Sequence, residues 1–374
     1  MIRYTFCAII LFLFTYGIDV IGQNAEWDQI DSVIYNTIGN NSPAYGIMLI
    51  NEDSLVAQRN YGYINIEKEI PAHSNTLYHL SYLAKQDTAY AILKGEELGK
   101  LSLNDKVSAY LDDFPAYGSE VRIVDLLNHT SGLPNYWKEL GYEKADKLTQ
   151  KDVYDYIKNQ NKLNFEAGTK FSVSYSDYAI LYFVIEEVSG SGYHKFLEKE
   201  FFDPLNMKHT YVHHNEKPNF FQRLFNINTN KEVITHSFRR DSVNSIINHA
   251  NSKFVLGLEG IYTTISDYVK FEQALYEMKV ISKENYDKVF TRARLDRTAD
   301  INTKMGYGWI NDRNNYMHYY YIFGADLYNT NMIMRFPDLK TSVLILTKRN
   351  GVFGLRKLGF RLVNKYSRIK FMVK

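Results

Sequence analysis

Strand-forming patterns near both ends of the chain, with a helical pattern between them, constrain the fold more than any other feature. The strand patterns, rich in β-branched and aromatic side chains, lie at residues 44–50, 55–63, 331–336 and 342–347. A short turn separates the members of each pair, which predicts two hairpins. Residues 101–247 show mainly helical patterns. This order predicts an α/β (α+β) fold with two lobes: an antiparallel sheet built from both termini and flanked by helices, with an inserted helical lobe.

The two predicted lobes belong to one domain. Residues 24–80 and 255–374 form the sheet lobe, and residues 81–254 form the mainly helical lobe. With 374 residues, of which 45% are apolar, the chain is long enough to bury a large core. A groove between lobes is a common location for a ligand site, so we expect a small-molecule or peptide ligand there.

The first 23 residues have the pattern of an export signal. Arg3 supplies the positive charge near the start, residues 6–16 form the apolar segment, and Gly22 is the small residue near the expected cleavage site. This run is shorter than the roughly 20 residues of a spanning helix, so we predict a secreted or periplasmic protein with no stable membrane span after cleavage. An uncleaved anchor is the alternative. Cys7 is the only cysteine, so cleavage leaves no thiol for disulfides or thiolate metal sites.

Charge and composition exclude several classes of partner. The formal net charge is +2, and the sequence has no basic stripe interleaved with aromatic residues of the kind that binds nucleic acid. We therefore expect no nucleic-acid partner. His209, His213 and His214 lie close together but have no carboxylate or thiol partner nearby in the sequence, so we expect a solvent-side loop and no metal site there. No cofactor is predicted.

Several short motifs follow one another along the chain in a specific order. They are Tyr61-Gly62-Tyr63, residues 99–107 (GKLSLNDKV), residues 126–134 (LLNHTSGLP), residues 167–172 (AGTKFS), residues 260–264 (GIYTT) with Asp267, and Gly306-Tyr307-Gly308-Trp309. In this order they resemble the superfamily of class C β-lactamases, penicillin-binding DD-peptidases and related esterases. The resemblance covers nearly all of the chain after residue 23 and implies the serine β-lactamase-like fold.

The resemblance implies a specific chemistry. A serine attacks a carbonyl, a lysine one helical turn later and the tyrosine of a Tyr-x-Asn element share the proton transfers, and a strand near the C-terminus carries a Lys-Thr-Gly or His-x-Gly element. Two backbone N–H groups hold the oxyanion, one of them belonging to the nucleophile. Each of these elements has a counterpart here.

The first element departs from the pattern, because Tyr82 occupies the position of the serine while Lys85 is present. A phenol places its oxygen about 4 Å further out on a rigid ring, and its pKa of about 10 makes it a hydrogen-bond donor and a poor nucleophile. Ser81 is the alternative nucleophile, although we expect it to be a helix cap or a loop residue. We expect Lys85 to be a groove cation or a buried donor.

The second element allows two registers. In the direct register, which we favour because residues 178–181 then continue the helix, the three positions are Val173, Ser174 and Tyr175. Valine transfers no proton. In a register shifted by two residues, Tyr175-Ser176-Asp177 keeps the phenol.

The third element is predicted at His318-Tyr319-Tyr320, so that Tyr320 replaces the glycine, and Gly324 follows at the expected spacing. A glycine there lets substrate backbone lie against the strand edge. We expect His318 to be a hydrogen-bonded residue at a strand end.

Departures in all three elements predict loss of the acyl-enzyme pathway, with the groove serving to bind a ligand or partner. The alternative is an active esterase or peptidase that uses Ser81, Lys85 and Tyr175.

Overall fold

The structure is a computed structural model, which describes residues 30–39, 41–145, 147–213, 234–239, 242–248, 253–291, 305–314, 317–326, 329–368 and 370–373. Its strands are β1 Tyr45–Asn51, β2 Ser54–Tyr61, β3 Tyr63–Asn65, β4 Ile70–Pro71, β5 Tyr78–His79, β6 Tyr211–Val212, β7 Ile234–Arg239, β8 Ser242–Asn248, β9 Ile261–Thr263, β10 Ile310–Asn314, β11 Met317–Ala325, β12 Thr330–Phe336 and β13 Thr341–Thr347.

The central sheet contains strands from both ends of the chain, as predicted. Its order is β10-β11-β12-β13-β1-β2, and all five pairs of neighbouring strands in it are antiparallel. The N-terminal hairpin therefore pairs directly with the C-terminal strands, with Ile47 opposite Ile345. The predicted α/β fold with an antiparallel sheet is confirmed.

Both faces of the central sheet are buried. Side chains alternate between the faces of a strand, so in β1 Tyr45, Ile47 and Leu49 enter one core while Met48 and Ile50 enter the other. This explains why the strand is continuously apolar in sequence.

Helices cover the two faces. They are α1 (residues 30–38), α2 Lys85–Glu97, α3 Ile123–Leu127, α4 Tyr136–Leu140, α5 Tyr142–Ala145, α6 Gln150–Lys158, α7 Tyr175–Ser189, α8 Tyr193–Leu197, α9 Ile265–Tyr276, α10 Lys283–Phe290 and α11 Leu355–Tyr366. Helices α1 and α11 share a core with Ile47 and Leu49, whereas α2 and α9 share the other core with Met48 and Ile50. The amphipathic pattern of α11 accounts for its docking on the sheet.

The helical region between the two halves of the sheet contains an exception to the prediction. Residues 234–239 and 242–248 form the β7–β8 hairpin, in which Ile234 pairs with Asn248. The mainly helical pattern predicted for residues 101–247 therefore did not reveal this hairpin. A hairpin satisfies its backbone hydrogen bonds locally, so it needs no long alternating pattern. Short β6 also pairs with β9, which in turn pairs with β5.

A buried ion pair holds the start of α2 against the sheet. Arg335 on β12 donates from Nε to Oε1 of Glu272 on α9 at 2.7 Å, and from Nη2 to Oε1 of Gln86 at 3.2 Å. The guanidinium also lies 4.4 Å from the ring centroid of Trp309. Both charged side chains are fully buried, so this network fixes the orientation of the helix that carries the predicted site.

The predicted export signal, residues 1–23, lies outside the described residues. Among the helices that are described, none combines the length and the apolar character that crossing a bilayer requires.

Candidate active site

A short 3-10 helix, Ser81–Ala84, leads from β5 into α2 and presents the first site element. Ser81 has φ of +54°, a left-handed conformation that is uncommon outside glycine. Its side chain is fully buried, and its Oγ has no hydrogen-bond partner among the described residues. Of the two roles expected for Ser81, a helix cap and a loop residue, the cap is wrong, because no side-chain cap hydrogen bond forms. The hydroxyl also makes no hydrogen bond to Lys85.

Tyr82 lies at the centre of an aromatic cluster. Its ring centroid is 4.9 Å from that of Tyr175 and 6.5 Å from that of Trp137, both in edge-on geometry. We call Tyr82, Trp137 and Tyr175 the aromatic cluster. Burial, together with the charge of Glu259, raises the pKa of Tyr82 far above its usual range. The phenol therefore stays protonated and acts as a donor at any ordinary pH.

Lys85 occupies the first position of α2, and its amine is buried. Burial lowers the pKa of Lys85 to about 8, and the charge of Asp177 opposes this shift. Its Nζ lies 5.8 Å from the ring centroid of Tyr178. A substantial fraction of this amine is neutral near physiological pH, which is the state that accepts a proton. The lysine of the Ser-x-x-Lys pattern is thus present with a lowered pKa, while the serine position of that pattern holds Tyr82.

A buried polar cluster ties the start of α7 to the turn that follows α3. Nδ1 of His129 lies 2.7 Å from Oδ2 of Asp177, and the hydroxyl of Ser131 donates to the other carboxylate oxygen. Burial lowers the pKa of His129 and raises the pKa of Asp177. His129 therefore has a structural role at this position, since its contact with Asp177 orients the first turn of α7.

The second predicted element spans the residues before and at the start of α7. Val173 is 41% exposed, Ser174 is buried with no partner for its Oγ among the described residues, and Tyr175 opens the helix. Burial raises the pKa of Tyr175, while a hydrogen bond from Tyr82 lowers it. The phenol beside position 82 is therefore Tyr175, and the direct register stays a prediction.

The third predicted element, His318-Tyr319-Tyr320, lies in the first half of β11. Nδ1 of His318 is 3.2 Å from Oδ1 of Asn311, and the ring of Tyr320 packs 4.4 Å from that of Phe290. The hydrogen-bonded role expected for His318 agrees with this contact, although the residue lies near the start of the strand.

The close approach of β11 to the helix start occurs at Gly324. A Cβ atom added to Gly324 would lie 3.1 Å from the backbone nitrogen of Tyr82. The prediction that Tyr320 replaces the glycine beside the substrate stays a prediction, whereas the glycine that contacts the helix start is Gly324, four residues later on the same strand face. The sequence contains both positions, and only the register of β11 against the helix distinguishes them.

One group of side chains at this site was not predicted. His79, Glu259 and Asp326 place their ligand atoms within 4.8 Å of one another, and these donor types also hold divalent cations. The charges of Glu259 and Asp326 both raise the pKa of Tyr82. The three residues are far apart in sequence, which leaves no local pattern to find.

The histidines of residues 209–214 lie apart from this group. His213 is buried and packs 5.2 Å from the ring of Phe254, which contradicts the expected solvent-side loop at that residue. The backbone N–H of His209 donates to Asp267. His214 lies outside the described residues.

Comparison with known proteins gives the family. The sequence profile of the Beta-lactamase family matches residues 35–366. The chain belongs to the beta-lactamase family. This beta-lactamase family protein is 28% identical over 288 residues to penicillin-binding protein 4* of Bacillus subtilis, a match that covers 74% of this chain and 62% of the relative. It is 29% identical over 217 residues to a putative D-alanyl-D-alanine carboxypeptidase of Salmonella agona, covering 53% and 50%. The chain spans less than two thirds of the length of these curated relatives.

Solved structures agree on the fold of this beta-lactamase family protein. A penicillin-binding protein homologue from Pyrococcus abyssi aligns with a TM-score of 0.73 at 22% identity, covering 90% of this chain and 76% of the other. A class C beta-lactamase aligns with a TM-score of 0.69 at 17% identity, covering 93% and 98%. The fold of a serine hydrolase family thus carries a tyrosine, Tyr82, at the start of the helix that holds Lys85.

Proposed function

We propose that this protein does not form an acyl-enzyme and instead binds a small-molecule or peptide ligand at the groove beside Tyr82. The supporting observation is Tyr82 itself. A protonated phenol with a strongly raised pKa fills the position of the serine and packs edge-on against Tyr175 and Trp137. Covalent catalysis needs an activated nucleophile within reach of a base, and this ring is neither ionised nor compact.

Ser81 does not supply the missing nucleophile. Its hydroxyl is fully buried and makes no hydrogen bond to Lys85. The backbone at this residue has a left-handed conformation. The amine of Lys85 therefore has a pKa suited to accepting a proton, but it accepts no hydrogen bond from a serine or threonine hydroxyl among the described residues.

A labelled penicillin and a fluorophosphonate probe test the absence of acylation. We expect no covalent label on the wild-type protein, and none on Tyr82→Phe, which keeps the ring. Tyr82→Ser places a small hydroxyl one helical turn before Lys85, and we expect slow labelling to appear in that variant alone. Labelling of the wild-type protein that is lost in Ser81→Ala would show instead an active hydrolase that uses Ser81.

Ligand binding at the groove is measured separately. Peptide fragments of peptidoglycan are titrated while tryptophan fluorescence is recorded, because Trp137 belongs to the aromatic cluster. A saturable change that disappears in Trp137→Phe places the ligand beside the cluster. An unchanged spectrum at millimolar fragment contradicts binding of this ligand class.

We also propose that the protein is exported, on the basis of the apolar run and positive start in residues 1–23. Cell fractionation of the full chain and of a version beginning at Asn24 tests this. We expect the full chain in the extracytoplasmic fraction and the shortened chain in the cytoplasm. Equal distribution of the two would contradict an export role for this segment.

A further inference from the structure

The near-neutral charge of the chain conceals a strongly positive segment. Residues 339–374 contain ten Lys and Arg residues and no Asp or Glu, whereas the whole chain has 44 basic and 42 acidic residues. The rest of the chain, with 34 basic and 42 acidic residues, is therefore net negative. The positive segment includes α11, so its charges lie on and around one helix of the fold.

Helix α11 places part of this charge on its outer face. Its apolar side chains, among them Leu358 and Leu362, are buried against the sheet, whereas Lys357, Arg361 and Lys365 are exposed. Residues four apart lie on the same side of a helix, so the three cations follow one another along α11. We call Lys357, Arg361 and Lys365 the cationic row.

The protein itself does not neutralise the cationic row. None of its three side chains makes a hydrogen bond or an ion pair with the residues that the structure describes, whereas two neighbouring cations do have acidic partners. Arg356 lies 3.5 Å from Asp312, and Arg368 lies 4.0 Å from Glu52. Like charges four residues apart on a helix repel one another, so an external anion would relieve this repulsion.

A cavity lies at the start of the cationic row, between the end of β10, α11 and residue 372. Its volume is about 240 Å³, and Arg313, Arg356 and Lys357 line it. The one carboxylate in its lining, Asp312, accepts a hydrogen bond from the phenol of Tyr319 at 3.0 Å and also contacts Arg356. The lining therefore has more positive than negative charge, which suits a small anionic group such as a phosphate.

An exposed phenylalanine lies near the same end of α11. Phe353, two residues before the helix, is 93% exposed, the highest value among the large apolar side chains that the structure describes. A single exposed apolar residue is common on protein surfaces. Here it lies four residues before Lys357, and cations combined with an exposed aromatic side chain are typical of surfaces that bind anionic bilayers.

We propose that the outer face of α11 docks on an anionic lipid membrane, with the cationic row at the phosphate headgroups and Phe353 in the interfacial layer. An anionic lipid surface attracts Lys and Arg side chains that lie near it. The interfacial layer accommodates an aromatic ring that water solvates poorly. Nucleic acid fits this face less well, because the phenylalanine of α11 itself, Phe360, is buried and offers no ring for base stacking.

Docking through α11 would give the protein a defined orientation. Helix α11 packs on the sheet face that contains Ile47 and Leu49, and α2 packs on the opposite face with Met48 and Ile50. The sheet therefore lies between a membrane bound at α11 and the helix that carries Lys85. This inference does not depend on whether the protein forms an acyl-enzyme.

Vesicle flotation of the full-length protein tests the proposal. Vesicles of phosphatidylglycerol, which is anionic, are compared with vesicles of phosphatidylcholine at low ionic strength. We expect binding to phosphatidylglycerol to be at least about tenfold stronger and to weaken as salt is added, since each cation near an anionic surface contributes roughly a fivefold gain. Equal binding to the two lipids, or no binding to either, overturns the proposal.

Two variants locate the contact. The triple variant Lys357→Gln/Arg361→Gln/Lys365→Gln is expected to weaken binding to phosphatidylglycerol about 100-fold. Phe353→Ser is expected to weaken it about tenfold. All variants keep residues 1–23, so any contribution of that segment is the same in each. Equal binding by the wild type and the triple variant overturns the assignment to α11.

A matched control removes the same charge elsewhere. Lys151→Gln/Lys279→Gln/Lys283→Gln changes three exposed lysines outside α11, and we expect nearly unchanged vesicle binding. Urea unfolding is expected to be almost the same for every variant, because each changes only exposed side chains. A control triple variant that loses as much binding as the α11 variant shows a non-specific charge effect and overturns the proposal.

A single-stranded oligonucleotide distinguishes a lipid surface from a general polyanion site. Oligonucleotide binding that the triple variant in α11 loses, with no vesicle binding by the wild type, overturns the proposal in favour of a nucleic-acid contact. Phe353→Ser that binds phosphatidylglycerol as tightly as the wild type overturns the placement of the ring in the interfacial layer.

Discussion

Replacing Asp87 with asparagine tests whether a carboxyl buried at the start of α2 destabilises the fold at neutral pH. Asp87 is almost completely buried, and its Oδ2 has no hydrogen-bond partner among the described residues. Burial raises the pKa of Asp87 from 3.8 to about 7, although the charge of Arg335 opposes the shift. The residue lies two positions after Lys85, so the effect concerns the helix that positions the candidate site.

The sign and the magnitude follow from proton linkage. A carboxyl with a raised pKa binds its proton more tightly in the folded state, so folding stability decreases as the pH rises from the unfolded pKa to the folded pKa. The penalty is absent well below pH 3.8, grows between pH 3.8 and about 7, and is complete above that range. At 1.36 kcal/mol for each pKa unit, the full penalty is about 4 kcal/mol, of which about 2.7 kcal/mol develops between roughly pH 5 and 8.5.

Urea unfolding of the wild type and of Asp87→Asn at the two pH values measures this penalty. Asparagine does not ionise, so we expect the stability of the variant relative to the wild type to increase by about 2 to 3 kcal/mol from the lower to the higher pH. Glu120→Gln, which removes an exposed carboxyl, is the control and is expected to show almost no such change. A stability difference between Asp87→Asn and the wild type that is the same at both pH values would refute the reasoning.

Two further variants test the contacts that fix the helix start. Gly324→Ala forces a Cβ to within 3.1 Å of the backbone nitrogen of Tyr82, so we expect the free energy of unfolding to fall by about 1 to 3 kcal/mol. The control Gly95→Ala, inside α2, is expected to change the free energy of unfolding by less than about 1 kcal/mol. Equal effects of the two substitutions would contradict the close approach. Glu272→Gln leaves the guanidinium of Arg335 buried and unpaired, and we expect a loss of about 3 to 5 kcal/mol by denaturant unfolding; a loss below about 1 kcal/mol would contradict the importance of this pair.

Strand and helix positions were predictable where a pattern is local. The hairpin at residues 44–63 and the strands at 331–336 and 342–347 correspond to β1, β2, β12 and β13, because β-branched alternation and turn residues act over a few positions. The β7–β8 hairpin was missed, since its strands pair with each other and carry a weak pattern. The residue types at positions 82 and 85 are likewise visible in the sequence without any structure.

The geometry of the candidate site required the tertiary structure. Which glycine of β11 meets the helix start depends on strand register, and a register is set by pairing between distant segments. His79, Glu259 and Asp326 come together from distant parts of the sequence, which no local pattern reveals. By itself the sequence determined the family, the assembly of the sheet from both termini and the tyrosine at the position of the serine. The burial of Ser81, the lowered pKa of Lys85 and the grouping of His79 with Glu259 and Asp326 arise only when distant segments pack together and exclude water.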